Sequence, residues 1–173
     1  MTAVDIRRLD PSDWSLFHEL RLFALRTEPG LFARSWAEES ALPEEAWRDL
    51  LGAPERGIFG MFDDDALIGI TGVVPSRDDP SGKTALLVMS YLLPEYRGRG
   101  LSRMFYEARL RWIAAQKQFE RVIVSHRRFN APSQRAILRF GFVETDRVAT
   151  TWPDGTDEDE VRYELPLDLR EAD

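Results

Sequence analysis

The chain has 173 residues, 43% of them apolar, enough for one hydrophobic core and too many for a disordered segment. It has no cysteine, which excludes disulfides, thiolate metal sites and a cysteine nucleophile, and its net charge of −7 argues against nucleic acid as a partner and for a cationic one. The N-terminus lacks a long apolar run and no stretch approaches the ~18 apolar residues of a membrane span, so a single-domain, cytoplasmic protein that does not enter membranes is expected.

Residues 4–9 alternate like a short strand. Asp10-Pro11-Ser12-Asp13 then reads as a helix start, with Asp10 as cap, and Trp14, Phe17, Leu20, Ala24 and Leu25 recur at helical spacing until Pro29-Gly30. Residues 31–42 are less regular. A second helix runs from Pro43 to about Leu51. Residues 57–62 and 66–74 form a hairpin around Asp63-Asp64-Asp65. Residues 84–93 are a long apolar strand, Leu101, Met104, Phe105, Ala108 and Trp112 mark a helix, and residues 121–126 are another strand. A short helix over 130–139 ends at Gly141, and strands over 142–151 and 161–167 flank an acidic loop. This order predicts an α/β protein built on a mixed sheet with helices on both faces.

Pro94-Glu95-Tyr96-Arg97-Gly98-Arg99-Gly100-Leu101-Ser102 joins an apolar strand to a helix. Glycines let the backbone approach a ligand, and the free N–H groups of a helix start converge on one electropositive spot. Pyrophosphate suits that spot, with Arg97, Arg99 and Arg103 as added donors. The alternative is a glycine-rich turn with solvated arginines. Neither a dinucleotide G-x-G-x-x-G after an early strand nor a P-loop G-K-[ST] is present.

Arg97-Gly98-Arg99-Gly100-Leu101-Ser102 after Leu92-Leu93-Pro94 resembles the [Q/R]-x-x-G-x-[G/A] signature of the GNAT superfamily of N-acetyltransferases, with Ser102 at the last small position. Asn130-Ala131-Pro132-Ser133 followed by Phe140-Gly141-Phe142 is similar to that family's second motif, in the form seen in ribosomal-protein N-terminal acetyltransferases. The resemblance implies a mixed, mostly antiparallel seven-stranded sheet whose fourth and fifth strands splay. Between them would lie the pantetheine arm of acetyl-CoA, with no metal required. Backbone groups of Leu92 and Leu93 would hold the arm and polarise the thioester carbonyl, those of residues 97–102 the pyrophosphate, and Asn130 would reach the arm near its sulfur. An acceptor amine would attack directly in a ternary complex.

The proton-transfer groups depart from the family pattern. The tyrosine expected seven residues after Asn130 is Ile137, and no carboxylate lies between Thr84 and Leu93. Ser133 is the candidate donor to the leaving thiolate, or a helix-start serine bonded to its own backbone. His126 is the candidate base, or a histidine packed at a strand end. Tyr91 and Ser90 offer a water chain instead. Trp36, Glu38 and Glu39, with Tyr91, are candidates to bind the acceptor, or else core and solvated residues. The acids of residues 153–160 either steer a cation or form a solvated turn. The acceptor is expected to be a primary amine of a small molecule. A peptide or protein N-terminus and a non-catalytic acetyl-CoA-binding module are the alternatives, and homodimer formation is possible.

Overall fold

A computed structural model describes residues 3–168. Seven strands form one sheet in the order β1-β2-β3-β4-β5-β7-β6: β1 Val4–Arg8, β2 Gly57–Asp63, β3 Ala66–Pro75, β4 Thr84–Leu92, β5 Arg121–Arg127, β6 Val143–Thr151 and β7 Asp157–Pro166. Every neighbouring pair is antiparallel except β4 with β5, which is parallel. Among the described residues no helix is long and apolar enough to cross a membrane.

The helices fall on the two faces because their apolar stripes do. α1 (Trp14–Thr27) and α3 (Glu44–Gly52), with the short α2 (Trp36–Ser40) packed beside α1, bury Phe17, Leu20, Ala24, Leu25, Trp47 and Leu51 against Ile58, Ile70 and Tyr91 of the sheet. On the other face, α4 (Ser102–Ala115) and α5 (Ala131–Arg139) bury Tyr106, Ile113 and Ile137 against Val73, Leu87, Val122 and Tyr163. Asp10 caps the 3-10 turn that opens α1 and shares a capping box with Asp13, whose carboxylate also takes two bonds from Arg7.

Two elements differ from the sequence reading. Residues 31–42 contain α2, whose start is a Ser35–Glu38 capping box. The acidic segment is mostly strand: Asp157 to Glu160 pair with residues 148–151 of β6, and Gly155 (φ 80°) takes the turn between them.

Candidate active site

β4 leads through the 3-10 turn Pro94–Tyr96 into the loop that opens α4. Gly98 and Gly100 both sit at φ 75°, where a side chain is strained, and each faces open space: a Cβ there would meet nothing within 4 Å. Arg97 N–H bonds Pro94 O, and the next bonded amides are those of Arg103 and Met104. The N–H groups of Gly98, Arg99, Gly100, Leu101 and Ser102 have no acceptor among the described residues. Successive free donors beside two left-handed glycines, at a helix N-terminus, form an anion cradle that fits a pyrophosphate.

The arginines expected to reinforce this cradle have internal partners. Arg97 Nε donates to Leu92 O (2.8 Å) and its two Nη groups bond Glu28. Arg99 Nη2 donates to Glu95 O (2.8 Å), and Arg103 pairs with Glu107. The backbone amides are therefore the anion donors that stand free.

Beside the loop the sheet opens. β4 and β5 are paired only at Thr84–Arg121, Ala85–Val122 and Leu86–Ile123, although β4 continues to Leu92 and β5 to Arg127. A bulge accounts for the departure of β4: Met89 and Ser90 lie together opposite Thr71, with Met89 at φ 61°. Gly72 makes room for it, since a Cβ there would fall 2.8 Å from the Met89 methyl. Ser90 is left exposed in mid-strand. One expectation needs correction here. Leu93 N–H bonds Ile68 O and Leu93 O accepts Tyr96 N–H, so both of its backbone groups are engaged. Backbone groups alternate along a strand, so Leu92 points its own to the open edge, where its carbonyl already accepts from Arg97 Nε.

The mouth of the gap is a cavity of about 440 Å³ lined by Glu28, Gly30, Leu31, Arg127, Phe129, Asn130, Pro132 and Glu158. Arg127 assembles it. Its guanidinium bonds Gly30 O (2.9 Å), Asp154 (2.7 Å) and Glu158, tying the α1–α2 connection and the β6–β7 turn to the end of β5. A Cβ on Gly30 would lie 2.8 Å from both Arg127 Nη1 and Asp154 Oδ2, so a larger residue there would have to displace the ends of those side chains. Glu28 sits between this cavity and the Arg97 side chain, and Phe129 is 75% exposed at its rim. Neither Glu28 nor Arg127 stood out in the sequence, because no local pattern marks either role. A larger concavity of about 760 Å³ lies where the β4–β5 pairing ends, lined by Leu86, Ile123, Val124 and Ser125 together with Arg56, Asp78 and Arg162.

The other candidates are placed as follows. Asn130 caps α5, its Oδ1 accepting Ser133 N–H (3.3 Å), and the Ser133 hydroxyl makes no hydrogen bond among the described residues. His126 is buried on the α5 face. Its Nδ1 meets Arg127 O at 2.7 Å, so Nδ1 carries the proton, and its Nε2 accepts from Tyr163 Oη at 2.9 Å. Both nitrogens are occupied, which fits the packed strand-end histidine and not a base open to the gap. Glu39 is buried in a two-pronged pair with Arg21, Glu38 closes the capping box with Ser35, and the Trp36 face is covered by Arg26 at 5.1 Å. Tyr91 is buried against Phe32, its ring under Arg97 at 5.3 Å, and its hydroxyl is raised above the ordinary tyrosine range, chiefly by burial. Of the predicted acids, Asp154 and Glu158 hold Arg127, and Glu160 holds Ser125 and Arg162.

A mixed seven-stranded sheet that splays at its single parallel pair, beside a helix-opening loop of free amides, defines the acyl-CoA N-acyltransferase fold. The acetyltransferase (GNAT) family profile matches residues 16–142, and the chain belongs to that family. It is 26% identical to an uncharacterized N-acetyltransferase of Streptomyces avermitilis over 96% of this chain, which spans 40% of that relative's length. An acetyltransferase of the GNAT family from Streptococcus pneumoniae superposes with a TM-score of 0.82 at 15% identity, over 95% of this chain and all of the other. A putative acetyltransferase from Salmonella typhimurium, solved with its cofactor acetyl-CoA, superposes with a TM-score of 0.75 at 20% identity, over 99% and 98% of the two chains.

Proposed function

We propose that the protein transfers an acetyl group from acetyl-CoA to a primary amine of a small molecule, by direct attack in a ternary complex. The observation that carries this reading is the run of five free amides from Gly98 to Ser102 beside the β4–β5 gap. Acetyl-CoA supplies the activated thioester. The amides hold its pyrophosphate, and the open-edge backbone of Ser90 and Leu92 aligns the arm as an added strand. Asn130 and Ser133 close the far wall, with the Ser133 hydroxyl in reach of the gap as a donor.

The acceptor enters through the cavity at Glu28. The Glu28 carboxylate, held by Arg97, beside an apolar wall of Leu31, Phe129 and Pro132 suits an amine on a short hydrophobic body. The Trp36, Glu38 and Glu39 groups, already partnered, shape that wall from behind. With His126 occupied at both nitrogens, the ammonium proton leaves through water near Glu28 and Tyr91. Holding amine and thioester in line provides much of the rate.

The exposed Phe129 beside Asn130 and Ser133 also favours a second reading, a peptide N-terminus as acceptor. The exposed edge strand β6 is the surface on which a second copy would pair.

The test is thiol release from acetyl-CoA with a panel of small amines and N-terminal peptides. Release with small amines, reduced about tenfold or more in Ser133→Ala, is the expected result. Release with peptides alone selects the second reading. Binding of acetyl-CoA without release from any acceptor identifies a non-catalytic module and contradicts the proposal.

A further inference from the structure

Arg109 lies on the inner face of α4, 1% exposed, with no carboxylate partner among the described residues. Its Nε donates to Phe105 O (3.2 Å), its Nη1 to Ser90 Oγ (3.0 Å), and its Nη2 makes no hydrogen bond. The guanidinium lies 4.5 Å over the Tyr106 ring, the titratable group that acts on it from its own helix; β3 and β4 present Thr71 and Ser90, both uncharged. Desolvation brings its pKa down to about 10, which leaves it a cation at neutral pH. A buried charge without a counter-ion is costly to keep, and such groups are kept where a negative charge is to be met.

The hydrogen bonds show where this charge is directed. A serine hydroxyl has two acceptor positions and one donor. Arg109 can only donate, and so fills one acceptor position of Ser90. Thr71 Oγ1 lies 2.8 Å from Ser90 Oγ, is buried, and has no other hydrogen-bond partner among the described residues, so its proton fills the second. The Ser90 proton is then left over. Ser90 is exposed, on the stretch of β4 that has parted from β5.

We propose that Ser90, polarised by the buried Arg109 and held by Thr71, donates a hydrogen bond to the sulfur of the acyl donor as the carbon–sulfur bond breaks. The amine nitrogen forms its bond to the carbonyl carbon, the carbon–sulfur electron pair goes to sulfur, and the amine proton leaves to water. Ser90 meets the charge that develops on sulfur. Arg109 is a positioning residue that acts through Ser90. This assignment rests on the acetyl-transfer reading above.

The readout is the ultraviolet titration of the thiol of CoA bound to the protein, which requires no acceptor. In the wild type the bound thiol is expected to titrate about one pKa unit or more below free CoA. Ser90→Ala and Arg109→Met should return it towards the free value, and Ser90→Thr should keep it low. Turnover in Ser90→Ala should fall about a hundredfold with KM for acetyl-CoA held. A bound thiol that titrates like free CoA, or one as depressed in Ser90→Ala as in the wild type, overturns the proposal. So does a depression abolished by Ser133→Ala and untouched by Ser90→Ala. If Arg109→Met does not fold, the two Ser90 variants decide. Wild-type protein that binds no CoA defeats the acetyl-transfer reading itself, a separate outcome.

Discussion

Arg109 and Arg127 show how the same side chain does opposite work in one small protein. Arg127 has two carboxylates and a carbonyl on its guanidinium, whereas Arg109 has a serine, a carbonyl and an aromatic ring. Replacing an unpaired buried cation by an apolar chain of similar length is often neutral or stabilising. Arg109→Met is therefore expected to hold its Tm within about 2 °C of the wild type or raise it, as thermal unfolding followed by circular dichroism would show. A loss of more than about 5 °C would mean that Arg109 is kept for stability. Neither role was legible in the sequence. Arg109 belongs to no motif, and its burial follows from helix phase and from a bulge that no local signal announced. Met89 at φ 61° is such a case: methionine is not a residue that advertises a left-handed conformation.

At the scale of elements, three segments far apart in sequence make the mouth of the gap. The α1–α2 connection, the end of β5 and the β6–β7 turn are joined through Arg127. Its side chain is 13% exposed and that of Glu158 is 7% exposed, so removing the guanidinium leaves carboxylates poorly solvated. Arg127→Met should cost about 2 kcal/mol and lower Tm by about 4–8 °C. Because the cradle lies on other elements, acetyl-CoA affinity should persist while KM for the acceptor rises. Unchanged KM and Tm together would show that the hub is dispensable. Regular elements were largely legible here, because period and caps are local properties: α1, α3, α4 and α5, and strands β1 to β6, fall close to their sequence boundaries. α2 carried a readable capping box at Ser35-x-x-Glu38. β7 began earlier than its apolar pattern because β6, rather than burial, pairs its acidic start.

For the whole molecule, donor and acceptor readings rest on different kinds of evidence. The donor cradle is a backbone feature, and glycine spacing exposes backbone features in a sequence. The acceptor wall and the proton-handling groups are side-chain assemblies drawn from several strands and both helical layers, which spacing along one chain does not reveal. Hence the loop at Arg97 to Ser102 was readable, whereas Glu28 was missed and His126 and Glu39 proved to have internal partners. The central claim is that the amides of this loop bind acetyl-CoA. Isothermal titration of acetyl-CoA into the wild type and Gly100→Asp tests it directly, with circular dichroism to show that both are folded. Residue 100 sits at φ 75° facing open space, so the variant sets a strained residue and a carboxylate where the pyrophosphate would lie. Saturable binding to the wild type and none to the folded variant is the predicted result. Equal binding to both would contradict the account.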